Sequence, residues 1–208
     1  MEFVTFQGNE EFDRKKGKGY GEALILEYAL EHSLFVHQCD FLVKITGRLK
    51  LLNVNSMIGF HRYILPHCDI QSEMDRRERY SDSRMLITGK GFLQYSFLAR
   101  KERIDDSKGC NFEHILFTSI DEQKDFVFYP FLIRPLWRGI SGTNGREYWE
   151  GNYTSLKLAY FKRMLNCMTE YNMCHPHNKP SMGVRLVLGM AGMAVGTVLR
   201  FFDWIKNE

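Results

Sequence analysis

The chain has 208 residues, 44% hydrophobic and 14% aromatic, which is enough to bury one sizeable core and too apolar for a disordered polymer. Its 28 Lys and Arg stand against 25 Asp and Glu; a net charge of +3 is too mild to hold duplex nucleic acid by bulk charge, so any anion site has to be local. Cys39, Cys68, Cys110, Cys167 and Cys174 form no CxxC pair, which argues against a disulfide framework or zinc ribbon and suits a reducing cytoplasm.

Residues 1–6 lack the basic start and long apolar region of a signal peptide, and 3–6 reads as a short strand. A glycine-rich turn, Gly17-Lys18-Gly19-Tyr20-Gly21-Glu22, then opens a helix that starts near Tyr20 or Gly21, with Glu22 favourably placed in its first turn. Apolar residues occupy most of that helix's circumference, which predicts cover on more than one side. Phe41-Leu42-Val43-Lys44-Ile45 is short and bounded by polar residues, as an interior strand would be, and Thr46-Gly47-Arg48 is the polar turn at its carboxyl end. Asn53 is placed to cap a short helix towards Phe60, and Tyr63-Ile64-Leu65 before Pro66 reads as a strand. The crowded charges over 72–79 fit a solvated face or a mobile flap.

A strand is predicted over 84–88, and after Gly89 and Gly91 a helix carrying Phe92, Tyr95, Phe97 and Leu98. Residues 105–109 are turn chemistry, and Asn111 then caps a helix whose Phe112, Ile115, Leu116 and Ser119 face a core. Pro130 makes the apolar run around it an edge or bulged strand. Residues 137–152 hold Gly139, Gly142, Gly145 and Gly151 without a periodic pattern, the mark of a long functional loop. Helices are expected over 155–173 and 184–204. In the second, the apolar run between Arg185 and Arg200 is shorter than the roughly 20 residues that span a bilayer, so it is read as packing on the domain, with self-association or shallow insertion at a membrane surface as alternatives. The chain thus divides into an α/β domain over 1–152 and a helical extension over 153–208.

The chemistry concentrates around the first helix and strand. A helix start with exposed N–H groups attracts anions, and in open α/β sheets ligands sit beyond the carboxyl ends of strands. Lys16, Lys18, Gly19, Gly21, Lys44, Thr46, Gly47 and Arg48 meet both conditions, so the unit is read as binding a diphosphate-bearing ligand; a plain structural turn is the competing reading. Fixed cations can stabilise a departing diphosphate as a metal would, and no DxD triplet follows the strand to hold a metal. Two carboxylates are candidates for catalysis. Asp40 lies at the sheet edge, and Glu113, in the first turn of its helix, can take a proton from an acceptor hydroxyl. Gly139, Ser141, Gly142 and Thr143 lie in a glycine-rich loop that can close over a sugar or phosphate. Cys174-His175-Pro176-His177 is read as a helix connection rather than a metal site.

Gly17 to Glu22, Asp40 to Arg48, Asp82-Ser83-Arg84, Phe112-Glu113-His114 and Gly139 to Thr143, in that order, resemble a group of bacterial sugar transferases from capsule and lipopolysaccharide gene clusters. The resemblance covers roughly residues 14 to 150. It implies a GT-A-like fold, a nucleotide-binding α/β sandwich with a mostly parallel central sheet, here without part of the first βαβ unit. It also implies a nucleotide-sugar donor, a glycan or lipid-linked acceptor, and a place in the cytoplasm or at the inner face of the cell membrane. Lys44 to Arg48 would stand where many such enzymes carry DxD, with Mg²⁺ or Mn²⁺ the alternative to the cationic arrangement, and Glu113 would match the base of inverting members. A non-catalytic transferase-like partner and a nucleotidyltransferase are the rival readings.

Overall fold

A computed structural model describes residues 2–6, 8, 14–47, 49–123, 125–140, 145 and 147–149. These form a mixed α/β structure. The helical extension expected over 153–208, including residues 174–177, lies outside the described residues.

The central sheet has the order β1 (Leu42–Ile45), β6 (Met85–Thr88), β3 (Ile70–Ser72), β7 (Phe128–Pro130). β6 pairs antiparallel with both neighbours, and β3 and β7 run parallel. The expected mostly parallel sheet is therefore corrected to a mixed one. All four residues of β6 are buried, as a continuous apolar run in a covered central strand should be. Among the described residues β1 is an edge, not an interior strand, because it has one neighbour there and its residues are half-buried or exposed. Leu42 and Val43 are partly buried against the core, while Ile45 is exposed. Pro130 sits on the opposite edge, as its lack of an N–H requires.

α1 (Lys18–His32) begins earlier than the glycines suggest. Gly17 has φ 88°, a backbone region open to glycine, and serves as the N-cap. The glycine run is thus the first turn of a helix, not a loop before it. Contacts with α2 (Leu34–Gln38), α4 (Phe112–Glu122) and the 3₁₀ turns cover α1 on several sides, although Ile25 is half exposed. Residues 2–6 form no strand; the Glu2 carboxylate instead accepts from Ser33 Oγ (2.7 Å) and Leu34 N (2.9 Å), fixing the start of α2.

α3 (Val54–Ile64) absorbs the strand expected at Tyr63 and Ile64, because its buried stripe of Met57, Phe60 and His61 continues the helical period to that point. Asn53 precedes α3 but spends its side chain elsewhere, donating to Arg134 O and accepting from Leu136 N, both at 2.9 Å. The charged run presents a solvated loop face, as one of its readings expects: β4 (Met74–Asp75) and β5 (Tyr80–Ser81) form a hairpin whose tip carries the exposed charges. A π-helical turn (Phe92–Phe97) continues into a 3₁₀ stretch (Leu98–Arg103), with Phe92 and Phe97 buried. α4 begins where Asn111 Oδ1 accepts from His114 N (3.0 Å), and buries Phe112, Ile115, Leu116 and Ser119 as its spacing predicts.

The expected structureless loop after Trp137 is corrected as well. β8 (Trp137–Ile140) pairs antiparallel with β2 (Leu49–Leu51) and β9 (Glu147–Trp149), forming a second sheet. No helix among the described residues is long and apolar enough to cross a membrane.

Candidate functional site

Lys44, near the carboxyl end of β1, is the centre of a polar cluster. Its side chain is only 10% exposed, and a buried ammonium needs an opposite charge and hydrogen-bond acceptors. Glu22 of α1 supplies the charge. The ammonium also donates to Ser83 O and, at 3.4 Å, to Thr46 Oγ1, and it lies 5.3 Å from the Phe112 ring centroid. Ser83, itself buried, donates from Oγ to Glu113 Oε1 at 2.6 Å. Four chain segments far apart in sequence meet here. β1 is held in place beside Ser83 because it pairs with β6 and because Thr46 N donates to Arg84 O (2.9 Å).

The amino ends of α1 and α4 close on the same region. A side chain at Gly19 would meet Phe112 N at 2.9 Å, so the two helix starts touch through a glycine. Gly19 N donates to Asp106 Oδ2 (3.1 Å), from the 3₁₀ turn Asp106–Lys108, and the Asp106 carboxyl fills the space that Cβ atoms at Gly17 and Gly19 would need. The helix start expected to be bare is thus capped by a carboxylate, which is itself what an anion-attracting helix start does.

Around this cluster, Asp82 and Arg84 form a bidentate pair with Nε at 2.9 and 2.8 Å from the two carboxyl oxygens, and the guanidinium lies 5.7 Å from the Trp137 ring. The edge of His114 faces the Tyr80 ring at 6.2 Å, and His114 Nδ1 is buried with no hydrogen-bond partner among the described residues.

The other residues singled out by the sequence are distributed differently. Lys18 is exposed at the first position of α1, Gly21 is half-buried on it, and Gly47 is exposed with open space around it. Lys16 is drawn away to Glu102 (2.6 Å) and over the Tyr20 ring (4.2 Å), holding the Glu102 carboxyl below its usual range together with the Tyr20 hydroxyl. Asp40 is exposed before β1 and lies four residue steps from Lys44, roughly 13 Å along extended chain at about 3.3 Å per step. Gly139 lies in β8, paired with Leu49 and Tyr148. Arg48, Ser141, Gly142 and Thr143 lie outside the described residues.

Two partners in the cluster were not legible in advance. Glu22 reads as first-turn helix chemistry and Ser83 as one residue of a polar stretch; only the fold brings Lys44 between them. Asp106 reads as turn chemistry, and nothing in its spacing points to α1.

Among the described residues no three His, Cys, Asp or Glu side chains converge as a metal site, and the two carboxylates of the cluster are each engaged, Glu22 by Lys44 and Glu113 by Ser83. A cleft of about 510 Å³ opens elsewhere, between α1 and the 3₁₀ stretch, with Glu27, Glu31, His37, Gln94, Lys101 and Glu102 on its walls. None of the residues singled out for binding lines it. The Lys44 cluster remains the stronger candidate, because its ammonium is the more deeply buried charge, whereas on the walls of the cleft Glu31, His37, Gln94 and Glu102 are exposed and Lys101 and Glu27 form a half-buried pair.

Comparison with protein-family models, with curated proteins and with solved structures finds no match to this chain.

Proposed function

We propose that this chain is a glycosyltransferase of GT-A type that moves a sugar from a nucleotide-sugar donor to a polysaccharide or lipid-linked oligosaccharide acceptor, at the cytoplasmic face of the membrane. One observation carries the reading. Lys44 brings together Glu22, Ser83 and Glu113, each from a different one of the short motifs that resemble the bacterial sugar transferases.

In this reading Lys44 and the adjoining starts of α1 and α4 supply the positive potential that a departing diphosphate requires. Glu113 Oε1 is held by the Ser83 hydroxyl, which leaves Oε2 to take the proton of the acceptor hydroxyl as it attacks the sugar. The donor set gives little to a divalent ion, since both carboxylates already have partners, so fixed cations carry the charge stabilisation.

The occupation of Lys44 by Glu22 favours a second reading, a transferase-like chain that binds glycan or a partner without catalysis. Product analysis separates the two. Incubation with a panel of nucleotide sugars and membrane lipid acceptors should release nucleoside diphosphate, and Glu113→Gln should abolish the release while the fold is kept. Release of sugar 1-phosphate instead would indicate nucleotidyl transfer, and absence of any release from folded wild type would leave the non-catalytic reading.

A further inference from the structure

The cleft of about 510 Å³ between α1 and the 3₁₀ stretch takes no part in the proposed transfer, and its size falls within the roughly 300–1,000 Å³ of small-molecule sites. Polar pairs hold it open. Lys101 of the 3₁₀ stretch pairs with Glu27 of α1, Tyr20 Oη donates to Glu102 Oε1 at 2.8 Å, and Lys90 Nζ holds His37 O at 3.0 Å, so side chains bridge the two elements where direct packing would close the gap. Leu98 belongs to the core and Leu30 packs against it, and with Ala99 they give the cleft an apolar lining. Of its three carboxylates, Glu27 is neutralised by Lys101 and Glu102 by Lys16. Glu31 is exposed and has no partner among the described residues, and there the side chains of His37 and Gln94 likewise make no hydrogen bond.

We infer that the cleft binds a small organic cation, a primary ammonium on an apolar body, with the ammonium at Glu31 and the body along Leu30, Leu98 and Ala99. The inference goes beyond the proposed transfer and does not depend on it, since no residue of the Lys44 cluster lines the cleft. Charge sets the sign of the ligand. An anion would face three carboxylates, and the one lining ammonium, Lys101, is already engaged by Glu27. Lys16 and the Tyr20 hydroxyl hold the Glu102 carboxyl below its usual range, so its negative charge persists at neutral pH. Glu27 and Glu31 stand four apart on α1, a spacing at which like charges repel, and Lys101 relieves that repulsion only at Glu27. A cation at Glu31 completes the relief. An ammonium carries three donors, and the Gln94 amide oxygen and the neutral His37 ring are acceptors in the same cleft. A bare metal ion would leave the apolar lining unused, and no three acidic, imidazole or thiol groups converge to hold one among the described residues.

Amide NMR titration of the full chain with hexylamine tests this, with hexanol and hexanoate as probes of equal length. Hexylammonium should give saturable shifts centred on Glu27, Leu30, Glu31, Gln94 and Leu98, and hexanoate should give none. Hexanol should bind about five-fold more weakly than the amine, and Glu31→Gln, at an exposed position, should weaken the amine by about the same factor, the scale of a single exposed ion pair. Ala99→Trp should block the cleft to every probe. Equal affinities for amine and alcohol, an unchanged amine affinity in Glu31→Gln, saturable shifts confined to other surfaces, or no saturable shifts would each overturn the inference. Nucleotide binding at Lys44 is read from different amides, so loss of either reading leaves the other standing.

Discussion

Gly19→Ala probes the contact on which the cluster is built. An added Cβ would lie 2.9 Å from Phe112 N, 2.9 Å from Asp106 Oδ1 and 3.1 Å from Phe112 Cβ. The Asp106 side chain can turn aside. The backbone at Phe112 cannot, because that residue is 1% exposed and begins α4, so α1 and α4 have to separate. Helix propensity alone favours Ala over Gly by about 1 kcal/mol, whereas forcing extra volume into a packed contact costs roughly 1–3 kcal/mol, so the net expectation is a loss of up to roughly 2 kcal/mol. Gly59→Ala in α3 is the internal control, with no atom within 4 Å of the added Cβ and thus a gain of up to about 1 kcal/mol. Thermal unfolding followed by circular dichroism should place Gly19→Ala below wild type and Gly59→Ala above it, at roughly 2–4 °C per kcal/mol for a chain of this size. Equal stabilisation by both substitutions would refute the approach of the two helix starts.

Lys44→Met should lower stability by roughly 2–4 kcal/mol in urea unfolding, since Glu22 loses its partner and the Ser83 carbonyl a charged donor. Glu22→Gln leaves the buried ammonium without its counter-charge and should cost at least as much, whereas a clearly smaller cost would mean that the ammonium is not buried. Burial holds the His61 ring below its ordinary value of 6.5, against a smaller opposing effect of the Gln71 hydrogen bond. The unfolded ring then takes up its proton first, so this contribution is complete above 6.5 and is lost as the pH falls below it; stability should decline as the pH is lowered through 6.5, and His61→Gln should flatten the decline. Asp105 is held down to about 2 by Lys108 and Ser107, so a carboxyl-detected NMR titration should find its midpoint well below the ordinary 3.8, moving upward in Lys108→Ala. An unshifted midpoint in the wild type would contradict the turn geometry at 105–108.

What the sequence reveals of the fold follows the range of the forces involved. α4 is legible because its cap and its buried face are local features: Asn111 binds three residues ahead, and the period of Phe112, Ile115 and Ser119 lies within the segment. β6 is legible because full burial demands a continuous apolar run. The apolar run of β1 gives the same signal at a sheet edge, since strand order is decided by partners far along the chain. Tyr63 and Ile64 have strand composition, but α3 carries them on because its buried stripe outweighs their preference. The strands after Trp137 are not legible in the sequence, since the glycines mask the pairing of β8 with β2, whose Leu49 lies 90 residues before its partner Gly139.

The site divides in the same way. Lys44, Thr46 and Glu113 carry recognisable chemistry in their own motifs, and the fold joins them. Glu22, Ser83 and Asp106 become meaningful only when α1, the turn before β6 and the turn before α4 are brought together.

The most direct measurement is an amide NMR titration of the full chain with uridine diphosphate, followed by the other nucleoside diphosphates. The account predicts saturable shifts at Gly19, Glu22, Lys44, Thr46, Ser83 and Glu113 that vanish in Lys44→Met. Shifts confined to Glu27, Glu31, Gln94 and Glu102 in the open cleft, or no shifts with any nucleotide, would contradict it.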